Sequence, residues 1–405
     1  MTPSSNKTRR ASRRAAPAAA VWIFAAWTGG LSAFPCTIAV IAGRATADGR
    51  PLLWKNRDVT SQDNLLRFLG SGRRAFIGLV EPGPVDKVWA GLNDAGLAVV
   101  NAVSPDLEGA AETENGAFIK RVLEECSTVR DVELLLEATN GARKTLANFG
   151  VIDGQGGGAI FEAGNARFAK YDLASSPAGF IVRTNYALTG TKPSEGEGFI
   201  RFDRATAIIA PAAAARTVDV RFLANQAARD LVNEAVDPYP LPFRGSQAGH
   251  PAGYVRTDYS INRYRTASAT IIHGLRPGED PGLATMWAIL GEPVCGLALP
   301  VWVKSAAVPA ALGGVLTSPL RELVKIAEGR CYTDPTSDRY LDTGRLDDGR
   351  GNGFLVRNAG LESVIFRAAG AALERWRVSG PRADEMRSFQ DQLAAWALRR
   401  YAAGL

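Results

Sequence analysis

Cys36 opens the segment CTIAVIAGRATADGRPLLWKNRD and directly follows a stretch that reads as an export leader. A cysteine that becomes the first residue of a chain carries two reactive groups, a thiol and a free α-amine. That amine titrates at about 7.7–8.0, close to the pH where a general base works best. Such a residue can attack an amide and take up the proton itself, with no histidine required. The chain has two histidines, His250 and His273, and neither lies in a recognisable catalytic motif. Three cysteines remain, Cys126, Cys295 and Cys331, and none shows the close spacing of a zinc site. An exported protein can pair two of them in three ways, or keep three buried thiols. Their spacing does not choose.

The chemistry needs the preceding residues to be removed, and residues 1–35 look built for that. A basic region holds Lys7, Arg9, Arg10, Arg13 and Arg14 with no acid. An apolar stretch from Ala15 to Trp27 follows, interrupted by Pro17, and then small residues from Thr28 to Ala33. The apolar run is too short for a membrane span and ends at Gly29-Gly30, so a secretory leader is expected. An uncleaved N-terminal anchor is the alternative. A lipoprotein signal would place small residues before the cysteine, where Phe34-Pro35 stand. The formal charge of +6 belongs largely to this leader. Without its five cations, 42 basic residues face 41 acidic ones. The mature chain therefore gives no argument for nucleic-acid binding. It is expected to be periplasmic or extracellular.

The elements that must position Cys36 can be read from periodicity. CTIAVIAG and PLLWKN flank an Asp-Gly turn and predict a hairpin. RAFIGLV, KVWAGL and LAVVNAV predict further strands. Residues 116–139 change to a helical period, with a break near Ser127-Thr128. ANFGVID, GAIFEA and ARFAKYD return to strand. The glycine run DGQGGG fits neither nucleotide-binding spacing and precedes a β-like segment, so it predicts a hairpin turn. Residues 197–235 read as helical, ASATIIHG and ATMWAIL as late strands, and residues 381–402 as an amphipathic helix. With 46% hydrophobic residues over 405 positions, residues 36–405 are expected to form one α+β domain, with sheets packed under helices.

Four segments in this order resemble N-terminal-nucleophile (Ntn) hydrolases of the choloylglycine hydrolase and penicillin V acylase type. Isopenicillin N acyltransferase-like proteins share the pattern. Cys36-Thr37 followed by ATADGRPLLWKNRD is similar to their opening hairpin, GLNDAGLAVVNA to a second hairpin, RTNYALTG to a later Thr-Asn segment, and SINRYRTAS to a segment that carries an arginine near the nucleophile. The resemblance spans roughly residues 36–305. It implies a four-layer αββα sandwich with antiparallel sheets, an amide substrate, and neither metal nor organic cofactor.

Carried onto this chain, the resemblance makes Cys36 the nucleophile and its α-amine the base. Asp58 would hold that amine, and Asn185 would donate its side-chain amide to the oxyanion. Arg263 would set the potential around the sulfur, with Arg265 in the same short segment as the alternative. Asn101 is a second oxyanion candidate, although the family's residue there aligns either with it or with Val103. Lys55 stands where bile-salt hydrolases carry arginine. Lysine keeps the charge but loses the planar fork, which argues against bile-salt-like recognition. Pro35 disfavours a cut just before Cys36, so Phe34-Pro35 would need self-cleavage or trimming. The expected activity is hydrolysis of a small-molecule N-acyl amide through an acyl-thioester. The alternatives are acyl transfer to an amine, a dipeptidase, or a secreted binding protein that has lost the site. A homo-oligomer is allowed by all of them.

Overall fold

β1 (Cys36–Ile41) is buried at every position, and so is β2 (Leu52–Asp58). Strands covered on both faces read as continuous apolar runs, not as alternation, and CTIAVI is such a run. The structure, a computed structural model, describes residues 1–2, 35–70, 72–109, 113–247, 249–334 and 336–405. The leader expected over residues 1–35 therefore lies almost wholly outside the described residues. The described residues from Pro35 onward cluster as one compact unit.

β1 and β2 belong to an antiparallel sheet completed by β10 (Phe180–Arg183), β12 (Thr266–His273), β13 (Thr285–Leu290) and β14 (Leu299–Val301), in the order β10-β1-β2-β12-β13-β14. A second sheet is an antiparallel meander of seven strands in chain order. These are β3 (Leu65–Leu69), β4 (Phe76–Val80), β5 (Ala90–Asn93), β6 (Ala98–Val103), β7 (Ala147–Ile152), β8 (Gly158–Ala163) and β9 (Phe168–Asp172). β11 (Tyr254–Arg256) and β15 (Tyr340–Asp342) pair separately.

The two sheets pack face to face. Helices α1 (Asn115–Glu125) and α2 (Val129–Ala138) cover the outer face of the meander, where Phe118, Ile119, Val122 and Leu136 meet Val99, Phe149 and Phe161. On the six-stranded sheet lie α3 (Phe199–Ala214), α5 (Pro319–Cys331), α7 (Phe354–Ser379) and α8 (Ala383–Ala403), with the short turns α4 (Val220–Phe222) and α6 (Thr343–Leu346). The result is the four-layer αββα, α+β architecture the sequence implies. Among the described residues, no helix is long and apolar enough to cross a membrane.

Local chemistry explains where the elements begin and end. The helix break falls where Thr128 caps α2 through a reciprocal capping box with Asp131. DGQGGG is the β7–β8 turn. There the Asp153 carboxylate accepts from the backbone of Gln155 and Gly157 and also from Val129 at the start of α2. The helix expected over residues 197–235 is shorter. Arg216 takes a left-handed φ of 55° just beyond α3, an arrangement no helix continues through. Asp219 then caps a new turn at Phe222.

α7 was not legible because its buried stripe includes Asn358 and Glu362 among Phe354, Ile365, Ala369 and Leu373. Those polar residues are satisfied in the interior: Glu362 pairs with Arg229 at 2.6 Å.

Gly150 in β7 lets the two sheets pack closely. A Cβ there would lie 3.0 Å from Leu53, 3.2 Å from Val40 and 3.3 Å from Val100. Gly150→Val should overpack this seam and lower the unfolding free energy by about 1–3 kcal/mol. Denaturant melts would show this as a lower midpoint at unchanged slope. An unchanged midpoint would mean that the sheets are not in contact there.

Candidate active site

Cys36 is the first residue of β1 and lies opposite Arg57 of β2. On the other side β10 runs antiparallel, with Ile38 opposite Arg183. Continuing that register carries the chain past Thr184 to Asn185, beside Cys36. The Cys36 nitrogen is a peptide nitrogen here, because Pro35 precedes it. It stands where the α-amine would be in a chain beginning at Cys36. That nitrogen donates to Asn185 Oδ1 at 2.7 Å.

Asn185 is held from several sides. Its Oδ1 also accepts from Arg201 Nη2 at 2.9 Å, and its Nδ2 donates to Val103 O at 2.8 Å. Two donors on one end and a carbonyl on the other fix which way the amide faces. The backbone on either side is tied to the second sheet. Asn148 Nδ2 of β7 donates to Thr184 O at 3.0 Å and Tyr186 O at 2.8 Å. Glu162 of β8 accepts from Arg183, Leu188 and Thr189, and Asp106 accepts from Ala187. Cys36 therefore belongs to one sheet, while its nitrogen's partner is clamped by the other.

Arg201 is the residue the sequence reading missed. Its Nη1 donates to Cys36 O at 2.6 Å and to Thr37 Oγ1 at 3.1 Å. It sits two residues into α3, on the same buried stripe as Ala205, Ile209 and Ala213. A charged residue in register with an apolar stripe was the available signal. Gly198, at φ 87°, lets the side chain double back, since a Cβ there would lie 2.4 Å from Arg201 Nη2. Burial pushes the Arg201 guanidinium down to about 10, with Arg263 adding to this and Asp58 and Cys36 opposing it. It keeps its charge at neutral pH.

The other expected residues divide into two groups. Lys55 is fully buried, and its Nζ donates to Trp89 O and to Asn101 Oδ1, each at 2.8 Å. Burial pushes the Lys55 ammonium down to about 8, against the pull of Cys36 and Asp58 and with the help of Arg57. Arg57 pairs with Glu81 at 2.5 Å and lies over the Trp89 ring at 4.7 Å. Lys55 and Arg201 make no ion pair among the described residues. Both couple electrostatically to Cys36, as does Arg57.

Asp58 and Arg263 form the second group, at the end of β2 and just before β12. Asp58 Oδ1 accepts from Thr266 Oγ1 at 2.7 Å. Its Oδ2 accepts no hydrogen bond among the described residues and lies 3.7 Å from Arg263 Nε. Burial pushes the Asp58 carboxyl up, and Arg263 is the largest of the charges opposing that shift.

The Cys36 peptide nitrogen donates to Asn185 Oδ1, and Asp58 stands one residue beyond Arg57, which the β1–β2 register places opposite Cys36. Lys55, Arg57 and Arg201 couple to Cys36, and Arg263 lies 3.7 Å from Asp58. Between the two arginines in SINRYRTAS, Arg263 is the one turned to the site. Arg265 stacks over Tyr264 and lines a separate cavity of about 600 Å³ with Glu292 and Arg321. Asn101 meets Lys55, while Val103, two residues on, meets Asn185. Among the described residues, no group of His, Cys, Asp and Glu could hold a metal ion.

Among solved structures, the chain is similar to mutant forms of conjugated bile acid hydrolase from Clostridium perfringens. Identity is 14% over 63% of this chain and 89% of that one, with a TM-score of 0.39. It is also similar to penicillin V acylase from Agrobacterium tumefaciens, at 14% identity over 66% of this chain and 86% of that one, with a TM-score of 0.35. No protein-family model and no curated protein sequence matches it.

Lys55 gives this site a pH signature. Folded, it releases its proton near 8, whereas unfolded it holds the proton to about 10.4. The unfolded state binds more protons between those values, so this group's contribution to stability rises with pH across the window. Lys55→Met should therefore be most stable relative to wild type near pH 7. The gap should close by roughly 2–3 kcal/mol by pH 10.5. Parallel urea melts at several pH values check this. A gap that does not change with pH would place the Lys55 ammonium in water.

Proposed function

We propose that Cys36 is the nucleophile of an exported amidohydrolase that acts on linear N-acyl amides once residues 1–35 have been removed. One observation carries this reading. The nitrogen of Cys36 is fixed at 2.7 Å by an asparagine whose own orientation is locked, beside three cations that couple to the sulfur. Two of them, Lys55 and Arg201, are buried without a carboxylate partner among the described residues, which is costly. Their field suits the oxyanion that forms after attack.

In the reaction, the α-amine takes the thiol proton as the sulfur bonds to the acyl carbon and the carbonyl electron pair moves onto oxygen. The α-ammonium returns that proton to the leaving nitrogen as the carbon–nitrogen bond breaks. An acyl-thioester remains. Water attacks it, gives its proton to the same amine, and the sulfur departs as the acid forms. The α-ammonium carries three hydrogens where the peptide nitrogen carries one. Asn185 Oδ1 takes one of them, and Asp58 Oδ2 is assigned as a further acceptor, with Arg263 keeping its charge in place. Asn185 Nδ2, beside Val103 O, is assigned to the oxyanion. Lys55 acts through Asn101 and through its charge.

The active protein should begin at Cys36 by intact mass, and Cys36→Ser should be nearly inactive against N-acyl p-nitroanilides of varied acyl length. Active protein that still carries Phe34 would refute the amine mechanism.

Asn185→Asp separates catalysis from structure. It keeps an oxygen for the Cys36 nitrogen and Arg201 but removes the amide donor. Turnover per folded molecule should fall by ~10²–10³ with KM little changed, while the melting temperature also falls because Val103 O loses its donor. A loss below about threefold, well short of that range, would remove Asn185 from oxyanion binding.

A further inference from the structure

Cys295 and Cys331 are fully buried, with their sulfurs 3.7 Å apart. Cys331 is the last residue of α5, and Cys295 lies in the turn that follows β13. We propose that these two cysteines form a disulfide when the chain folds in the presence of a disulfide donor. Of the three pairings the sequence allows, this is the one the fold permits. Cys126 belongs to the cluster between α1, α2 and the meander, while Cys295 and Cys331 belong to the cluster on the six-stranded sheet. The inference does not depend on the catalytic reading.

The geometry asks for little. A disulfide needs sulfurs about 2.05 Å apart, so the pair, now at 3.7 Å, must close by roughly 1.7 Å. The backbone of Cys295 is already pinned, since its carbonyl accepts from Tyr401 of α8 and from Asn358 of α7. Cys331 ends a helix capped at Ser318.

The bridge closes a loop between positions 36 residues apart, and the entropy it removes from the unfolded chain grows with that length. It also fastens two neighbours of the pair. Tyr332 donates to Glu292 Oε1 at 2.7 Å, and both line the cavity that Arg265 enters.

The chemistry balances by thiol–disulfide exchange with oxidised glutathione. One cysteine thiolate attacks a donor sulfur, the donor's S–S bond breaks, and one glutathione leaves as its thiol. The second cysteine then attacks the mixed disulfide and releases the second glutathione. Two protein thiols are oxidised, one donor disulfide is reduced to two thiols, and the protein loses two hydrogens. Contact with Cys331, together with burial, pushes the Cys295 thiol well up. The native, reduced pair is therefore slow to react, and the bond forms during folding.

The test is to refold the full chain in a glutathione redox buffer, block remaining thiols and map peptides without reduction. The expected result is a Cys295–Cys331 peptide, with Cys126 and Cys36 alkylated. The oxidised protein should melt roughly 3–5 °C above the same protein reduced. That difference should vanish in C295S and in C331S. Should refolding fail, natively purified protein treated with diamide in sub-denaturing urea gives the same readout. Complete alkylation of both thiols in the oxidised, folded protein would overturn the proposal, as would a linked peptide containing Cys126.

Discussion

The position of Cys36 depends on one side-chain amide. Asn185 joins the end of β1 to α3 through Arg201 and to the meander through Val103. Each of these contacts would be weak in water, where a typical hydrogen bond contributes only ~1 kcal/mol net. In a dry interior, the loss of any one leaves a polar group unpaired, and that penalty is larger than the bond's own contribution. The network is therefore stiff. It also crosses the sheet seam, so the distance between the sheets and the position of Cys36 are set together. Gly150, which lets Val40, Leu53 and Val100 close that seam, belongs to the same constraint.

The electrostatics follow from the same geometry. β2 delivers Lys55 and Arg57 two residues apart, and antiparallel pairing brings them to the start of β1. Arg201 arrives from a helix on the other side. Glu81 partly balances Arg57, but Lys55 and Arg201 rest on neutral oxygens from Trp89, Asn101, Cys36 and Asn185. The interior thus gathers positive charge around Cys36. Asp58 and Arg263 form a separate pair nearby, so the site has a cationic side and a side that can accept an ammonium.

Much of this was legible in the sequence. The opening hairpin, the meander strands, the break before Thr128 and the turn at Asp153 follow from local rules, because each is decided by residues a few positions apart. The set Cys36, Lys55, Asn101 and Asn185 could be named from motifs alone. Their partners could not, since contacts such as Asn185 with Arg201 or Asn148 with Thr184 are made only by folding. Arg201 was hidden by its charge, because an arginine on a helix reads as solvent-facing. α7 was hidden for a similar reason: Asn358 and Glu362 interrupt a stripe that is nonetheless buried. The place of Asn185 beside the Cys36 nitrogen is a matter of register, and a motif does not specify register.

Gly198 and Arg201 carry a consequence for how this lineage can vary. The arginine doubles back through space that any side chain at position 198 would occupy, and the glycine holds a backbone angle that other residues resist. Neither position is free to drift alone. A change at 198 displaces the guanidinium from Cys36 and Asn185, while loss of the arginine removes the reason for the glycine. Across related sequences the two positions should be kept together or lost together, as one heritable unit four residues long.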